Sequence, residues 1–124
     1  MGAELRLVLV EDNRIFRETL ELLLPLHAGI AIVASLDSGA DAVEACQRLE
    51  PEVAVIDYRM PGLDGAQTTA AIRAASPRTQ VVCLTASVSG EELDLVRAAG
   101  AAACLTKDQS LDEIVAAIRA AATS

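Results

Sequence analysis

The sequence predicts a doubly wound α/β fold, in which a parallel five-stranded sheet is covered on both faces by five helices. Three observations carry this. Five short apolar runs alternate strictly with five helical patterns along 124 residues. The runs are nearly continuous in apolar character, as parallel strands buried on both faces require. The helix starts are marked by polar caps rather than by composition alone.

The elements follow in order. Residues 5–10, Leu-Arg-Leu-Val-Leu-Val, form the first strand, and the helical pattern over 14–25 runs up to Pro25. The second strand is 30–35, and Ser38 with Asp41 opens a helix over 39–49. The third strand is 53–56; Asp64 with Gln67 fits a capping box for a helix over 65–75. The fourth strand is 81–84, followed by Ser89 with Glu92 and a helix over 90–98. The fifth run, 101–105, is Ala-rich and weak as a strand by propensity alone. Ser110 with Glu113 then starts a helix over 111–121. Strict alternation with right-handed crossovers gives a doubly wound sheet, for which the order 2-1-3-4-5 (flavodoxin-like) is expected.

The length suits one domain, 1–124, and 52% apolar content argues against disorder. With one Phe, one Tyr and no Trp, the core must be built from Ala, Val, Leu and Ile. No apolar run is long enough to span a bilayer, and no signal-peptide pattern opens the chain. Cys46, Cys83 and Cys104 form no C-x-x-C pair, so they read as reduced thiols acting as small buried hydrophobes in a cytoplasmic protein. His27, just after Pro25, reads as a partly exposed loop residue. A net charge of −8 disfavours direct binding of nucleic acid by this chain.

In a doubly wound sheet, ligands bind beyond the carboxyl ends of the strands. Strand 1 ends in Glu11-Asp12, strand 3 in Asp57, strand 4 in Thr85-Ala86, and strand 5 near Lys107, the one Lys of the chain. With this strand order those ends converge. Each residue alone has an ordinary role: a solvated helix start, a cap, a structural Thr, a surface Lys. Those roles leave their joint placement unexplained. Three carboxylates in one cleft repel, and a divalent cation relieves the repulsion. Mg²⁺ suits such a site, because it takes hard oxygen ligands and keeps waters that a phosphate displaces. A carboxylate beside it can act as a nucleophile toward phosphorus. The Lys107 ammonium, the Thr85 hydroxyl and backbone N–H groups would then meet the charged phosphoryl oxygens.

The segments Leu7-Val8-Leu9-Val10-Glu11-Asp12-Asn13, Asp57-Tyr58-Arg59-Met60-Pro61-Gly62-Leu63-Asp64-Gly65, Leu84-Thr85-Ala86 and Gly100 through Lys107 carry a resemblance across essentially the whole chain. The chain resembles the CheY-like receiver domains of two-component response regulators. The Lys107-Asp108 pair, the Gly62-Leu63-Asp64-Gly65 stretch and the Ala-rich end look more like receivers attached to NarL/LuxR-type helix-turn-helix domains. The resemblance implies that Asp57 is the phosphoacceptor and that a sensor histidine kinase or phosphotransfer protein is the donor. It implies that Asp12 contacts Mg²⁺ directly, Glu11 contacts it through water, and the Arg59 backbone carbonyl completes the shell. It further implies that Thr85 and Lys107 sense the phosphoryl group. By position, Ala86 is expected to contact that group, and the Arg59 side chain, at the mouth of the acidic cluster, reads either as a solvated loop cation or as a group that screens the pocket or touches the phosphoryl group.

The sequence departs from the family at Cys104, where a Tyr or Phe usually stands, and at Asp108, where Pro is frequent. With so small a side chain at 104, Thr85, the loop from Ala86 to Ser89 and the helix over 90–98 are expected to carry the conformational change, with Cys104 nearly passive. Self-association through the last two helices and strand 5, or action on an output domain outside the chain, is the expected result. Two other functions compete. An unphosphorylated pseudo-receiver is kept open by Cys104. An aspartyl-phosphate phosphohydrolase would want an acid at position 59, where Arg59 cannot donate a proton. A dinucleotide-binding domain fails for want of G-x-G-x-x-G after strand 1.

Overall fold

The structure is a computed structural model describing residues 4–86 and 89–123. Its elements are β1 (Leu5–Val10), α1 (Arg14–Leu23), β2 (Ile30–Leu36), α2 (Gly39–Leu49), β3 (Val53–Asp57), α3 (Gly65–Ala75), β4 (Gln80–Thr85), α4 (Gly90–Ala98), β5 (Ala103–Thr106) and α5 (Leu111–Ala122). The five strands are all parallel, in the order β2-β1-β3-β4-β5. The chain order reverses between β1 and β3, which makes their carboxyl ends the switch point of the sheet.

Side-chain alternation along the strands divides the core into two layers. Leu7, Leu9, Val53, Val55, Val82 and Leu84 face α1 and α5, meeting Leu20 and Ile118. Val8, Val10, Ala54, Ile56, Val81 and Cys83 face α2, α3 and α4, meeting Cys46, Ile72 and Val96. Every residue of β3 is buried. Truncating a fully buried Ile such as Ile72 or Ile118 to Ala costs roughly 2–5 kcal/mol in cores of this kind.

The helix caps form largely where the sequence places them. Asp64 and Gln67 close a reciprocal capping box on α3, and Ser110 and Glu113 close another on α5. Ser38 and Ser89 each accept from the backbone N–H three residues on, that of Asp41 and Glu92. The Glu92 side chain does not complete a box with Ser89; it turns to Arg59 instead. Asn13 caps α1 by accepting from the Phe16 N–H at 3.0 Å.

Two boundaries lie two residues from the sequence reading, while the ends of β2, β3, β5 and α5 and both ends of β4 lie one residue from it. The α1 helix closes at Leu23 rather than at 25, and Leu24–Leu26 form a 3-10 turn that contains Pro25. His27 caps that turn and is half-buried. The fifth strand begins at Ala103, not 101. Gly100 adopts φ 110°, and the N–H groups of Ala101 and Ala102 are taken by the Val96 and Val81 carbonyls. The first two alanines of the run thus close α4 and deliver the chain to the sheet.

One glycine in the β3–α3 connection is fixed by packing. Gly65 donates its N–H to the Tyr58 carbonyl at 2.6 Å, and a Cβ placed on it would lie 2.6 Å from the Tyr58 Cα. That contact draws the start of α3 against the residue following Asp57. Gly65→Ala forces the two backbones apart, so we expect a loss of about 1–3 kcal/mol in urea unfolding. An unchanged midpoint would show that the connection yields without cost.

Candidate functional site

The switch point brings together residues from four strand ends. Glu11 follows β1 and is 2% exposed; Asp57 ends β3 and is 5% exposed. Thr85 ends β4 and is buried, while Lys107 follows β5 and is half-buried. Asp12 is exposed beside them. Carboxylate oxygens of Glu11, Asp12 and Asp57 lie within 4.8 Å of one another.

Lys107 bridges two of these carboxylates. Its ammonium lies 2.7 Å from Glu11 Oε1 and 3.2 Å from Asp57 Oδ2. The other Glu11 oxygen accepts the Asn13 N–H at 3.0 Å. The Lys107 backbone N–H donates to the Thr85 carbonyl at 2.8 Å, tying the end of β5 to the end of β4. The Arg59 N–H reaches Asp57 Oδ1 at 3.4 Å. The sheet thus supplies one ammonium to a cluster of three carboxylates, which leaves negative charge in a largely buried place.

The electrostatics follow. Burial pushes the Glu11 carboxyl up to about 7 from 4.5; the hydrogen bond with Asp57 adds to the rise, and those from Lys107 and Asn13 oppose it. For Lys107, burial pulls the ammonium down, but the Glu11 hydrogen bond and the charges of Asp57 and Glu11 outweigh it and hold it above its ordinary value. Lys107 therefore stays charged while Glu11 resists ionisation. A hard divalent cation fits this donor set: it would be met by oxygen ligands only, and it would relieve the charge that Lys107 leaves unbalanced. Glu11, Asp12 and Asp57 are placed to hold it.

The side chain of Arg59 takes a position of its own. Its guanidinium pairs with Glu92 on α4, at 3.0 Å from Oε2 and 3.1 Å from Oε1. Ala86 is exposed just past β4, and Ser87 and Val88, within the loop expected to move, lie outside the described residues.

Several contributors escaped the sequence reading. Phe16, the one Phe of the chain, places its ring centroid 4.7 Å from the Lys107 ammonium. Its position four residues after Asp12, in the first turn of α1, was the available signal. Arg17 donates to the Glu11 carbonyl at 2.7 Å, which holds the β1–α1 connection. Cys104, expected to be buried, is half-buried, and it is the register partner of Cys83 in β4.

The raised Glu11 carboxyl gives a signed pH dependence in the metal-free chain. Its folded value lies above its unfolded value, so its contribution to stability is full below about 4.5 and is lost as pH rises through about 7. In chelator, wild type should lose on the order of 1–3 kcal/mol relative to Glu11→Gln between about pH 5 and about pH 8. Saturating Mg²⁺ should remove most of that loss. Thermal melts of both proteins across the range check this, and a difference that stays flat without metal would refute it.

Comparison with known proteins agrees with the geometry. The family model described as the response regulator receiver domain matches residues 7–119. The probable transcriptional regulatory protein NarL of Mycobacterium tuberculosis (strain ATCC 25618 / H37Rv) is 37% identical over 115 residues, which cover 93% of this chain and 53% of that protein. The nitrate/nitrite response regulator protein NarP of Escherichia coli (strain K12) is 32% identical over 117 residues, covering 94% and 54%. The chain spans about half the length of these curated relatives. Among solved structures, the signal receiver domain of the M. tuberculosis response regulator NarL superposes with a TM-score of 0.94 at 36% identity, over 99% of each chain. A LuxR-family two-component response regulator from Aurantimonas sp. SI85-9A1 superposes with a TM-score of 0.92 at 27% identity, covering 98% of this chain and 86% of that one. The switch-point cluster, the five-stranded topology and these matches together place the chain in the response regulator receiver domain family.

Proposed function

We propose that this chain, taken as a single receiver domain over 1–124, is a phosphorylation switch that accepts a phosphoryl group on Asp57 from the phosphohistidine of a sensor histidine kinase or phosphotransfer protein. The observation that carries the reading is Lys107 bridging Glu11 and Asp57 in a cluster of three carboxylates beside buried Thr85.

In this reading, an Asp57 carboxylate oxygen attacks phosphorus, and the electron pair of the broken P–N bond leaves with the donor imidazole. Glu11, Asp12, Asp57 and the Arg59 backbone carbonyl would hold Mg²⁺, which would supply neutralisation of charge on the transferring phosphoryl oxygens. Lys107 gives up part of its pairing with the carboxylates to meet another oxygen. The Thr85 hydroxyl and the Ala86 N–H donate to a third, with the Thr85 bond strengthened by the anion's charge. Such a domain promotes its own phosphorylation and dephosphorylation without turning over an external substrate. The Arg59 side chain, drawn toward Glu92, has to leave α4 before it contacts the phosphoryl group.

The NarL and NarP relatives are roughly twice the length of the matched region, and one solved neighbour is described as a DNA-binding response regulator of the LuxR family. A helix-turn-helix output domain outside this chain, in a cytoplasmic regulator, is the corresponding proposal. Direct DNA contact by this acidic chain is not part of it.

Incubation with acetyl phosphate and Mg²⁺ should add one phosphoryl mass to the wild type, placed on Asp57 by tandem mass spectrometry. Asp57→Asn should add none. A wild type that gains nothing would identify a pseudo-receiver, and a phosphoryl group on another residue would overturn the assignment. Activation should also promote self-association through α4, β5 and α5. Sedimentation with and without beryllofluoride reads this, and Thr85→Ala should blunt the response. An undiminished response in Thr85→Ala would remove Thr85 from the signal path.

A further inference from the structure

Two cysteines from distant parts of the chain meet in the sheet. Cys83 of β4 and Cys104 of β5 are register partners in adjacent parallel strands. Both pack into the layer under α2, α3 and α4, so their side chains leave the sheet on the same face. Each thiol is close enough to shift the titration of the other. Adjacent strands put paired Cα atoms about 4.8 Å apart, within the range of about 4.4–6.8 Å that disulfides span. This juxtaposition serves neither the carboxylate cluster nor a metal ligand set.

The two thiols are unequal. Cys83 is fully buried, whereas Cys104 is half-buried. The neighbouring Cys83 thiol lowers the Cys104 thiol below its ordinary value against the opposing effect of burial; the Arg97 charge helps, and Glu92 works against it. The same neighbour interaction, with burial, holds the Cys83 thiol far above its own. The cysteine that is less buried is therefore the one that more readily becomes a thiolate, which is the nucleophilic form. Cys46 stands apart on α2; it is buried, and burial raises its thiol to about 11.

We propose that Cys104 and Cys83 form a reversible redox modification site, in which Cys104 reacts with a hydroperoxide and Cys83 resolves the product to a disulfide across β4 and β5. The Cys104 thiolate attacks a peroxide oxygen, the O–O bond breaks, and the leaving hydroxide takes up the thiol proton as water. Cys104 is left as a sulfenic acid. The Cys83 sulfur then attacks the Cys104 sulfur, the S–O bond breaks, and the Cys83 proton leaves with the hydroxyl as a second water. Hydrogen peroxide gains two electrons and the sulfur pair loses two. The bridge closes the segment holding α4, two residues ahead of Thr85. It stands on the thiol geometry alone and does not require that Asp57 be phosphorylated.

The test uses the reduced chain treated with hydrogen peroxide, then denatured and labelled with N-ethylmaleimide. The intact mass before labelling should fall by two hydrogens. Labelling should drop from three thiols to one, with the remaining label on Cys46, and dithiothreitol should restore all three. Peptide mapping under non-reducing conditions should recover Cys83 linked to Cys104. In Cys83→Ser, dimedone should trap a sulfenic acid on Cys104, and prolonged exposure should give the sulfinic acid. Cys104→Ser should keep its Cys83 thiol reduced. A wild type that retains three labelled thiols, a bridge that includes Cys46 or a second chain, or Cys104 overoxidised in the wild type as fast as in Cys83→Ser would each overturn the proposal. The wild-type peptide map decides the matter even if a variant fails to fold.

Discussion

Burying carboxylates side by side raises the free energy of the folded state unless a cation shares the space, and here that cation is Lys107. Its ammonium reaches Glu11 from β1 and Asp57 from β3 while sitting after β5, so one side chain joins three strand ends. Phe16 lies against it from α1, and its backbone is pinned to Thr85. Removing one partner from a buried charge pair leaves the other uncompensated, which is far more costly than the pair's net worth. The strand order, the lengths of β1 and β3, and the turn after β5 all have to agree for this ion pair to form. Its incompleteness is equally informative. One ammonium does not balance three carboxylates, and burial, with Asp57 adding to it, raises the Glu11 carboxyl in spite of Lys107.

The site connects to α4 by one route and to β5 by another. Arg59, two residues past Asp57, pairs with Glu92 in the first turn of α4. An exposed pair of this kind contributes little to stability, on the order of 0–1 kcal/mol. Its geometry nonetheless diverts Glu92 from the Ser89 cap and gives the β3–α3 loop a handle on the helix. The second route is the cysteine pair, which joins β4 just before Thr85 to β5 just before Thr106 and Lys107. Where an aromatic ring is usual in the family, this chain places a small polarisable side chain in contact with another of its kind. The space a ring would fill is thereby exchanged for a thiol pair with chemistry of its own.

Much of the fold was legible in the residues because its signals are local. The helices over 39–49, 65–75 and 90–98 begin and end where Ser38, Asp64 and Ser89 mark their starts, since a cap acts on N–H groups within three residues of itself. The unbroken apolar character of Val53 to Ile56 announced a central strand, and the structure buries every residue of it. The site was legible in outline for a related reason. In a doubly wound sheet the ends of strands converge, so residue identity at those ends is nearly enough to name the cluster. The boundaries that moved furthest, at Leu23 and Ala103, lie where Pro25 and Gly100 impose backbone geometry that the apolar pattern does not encode.

The sequence by itself determined the element order, the caps and the identities of Glu11, Asp12, Asp57, Thr85 and Lys107 at the strand ends. Only the tertiary structure decided how those groups are partnered. Lys107 is 50 residues from Asp57 along the chain, Arg59 is 33 from Glu92, and nothing local to either member specifies the other. The contact between Cys83 and Cys104 likewise depends on the register of β4 against β5, and a one-residue slip would turn one thiol to the opposite face of the sheet. Charge balance, thiol reactivity and the direction of Arg59 are thus properties of register and packing. They arise from distances of a few ångströms between groups that the chain itself keeps far apart.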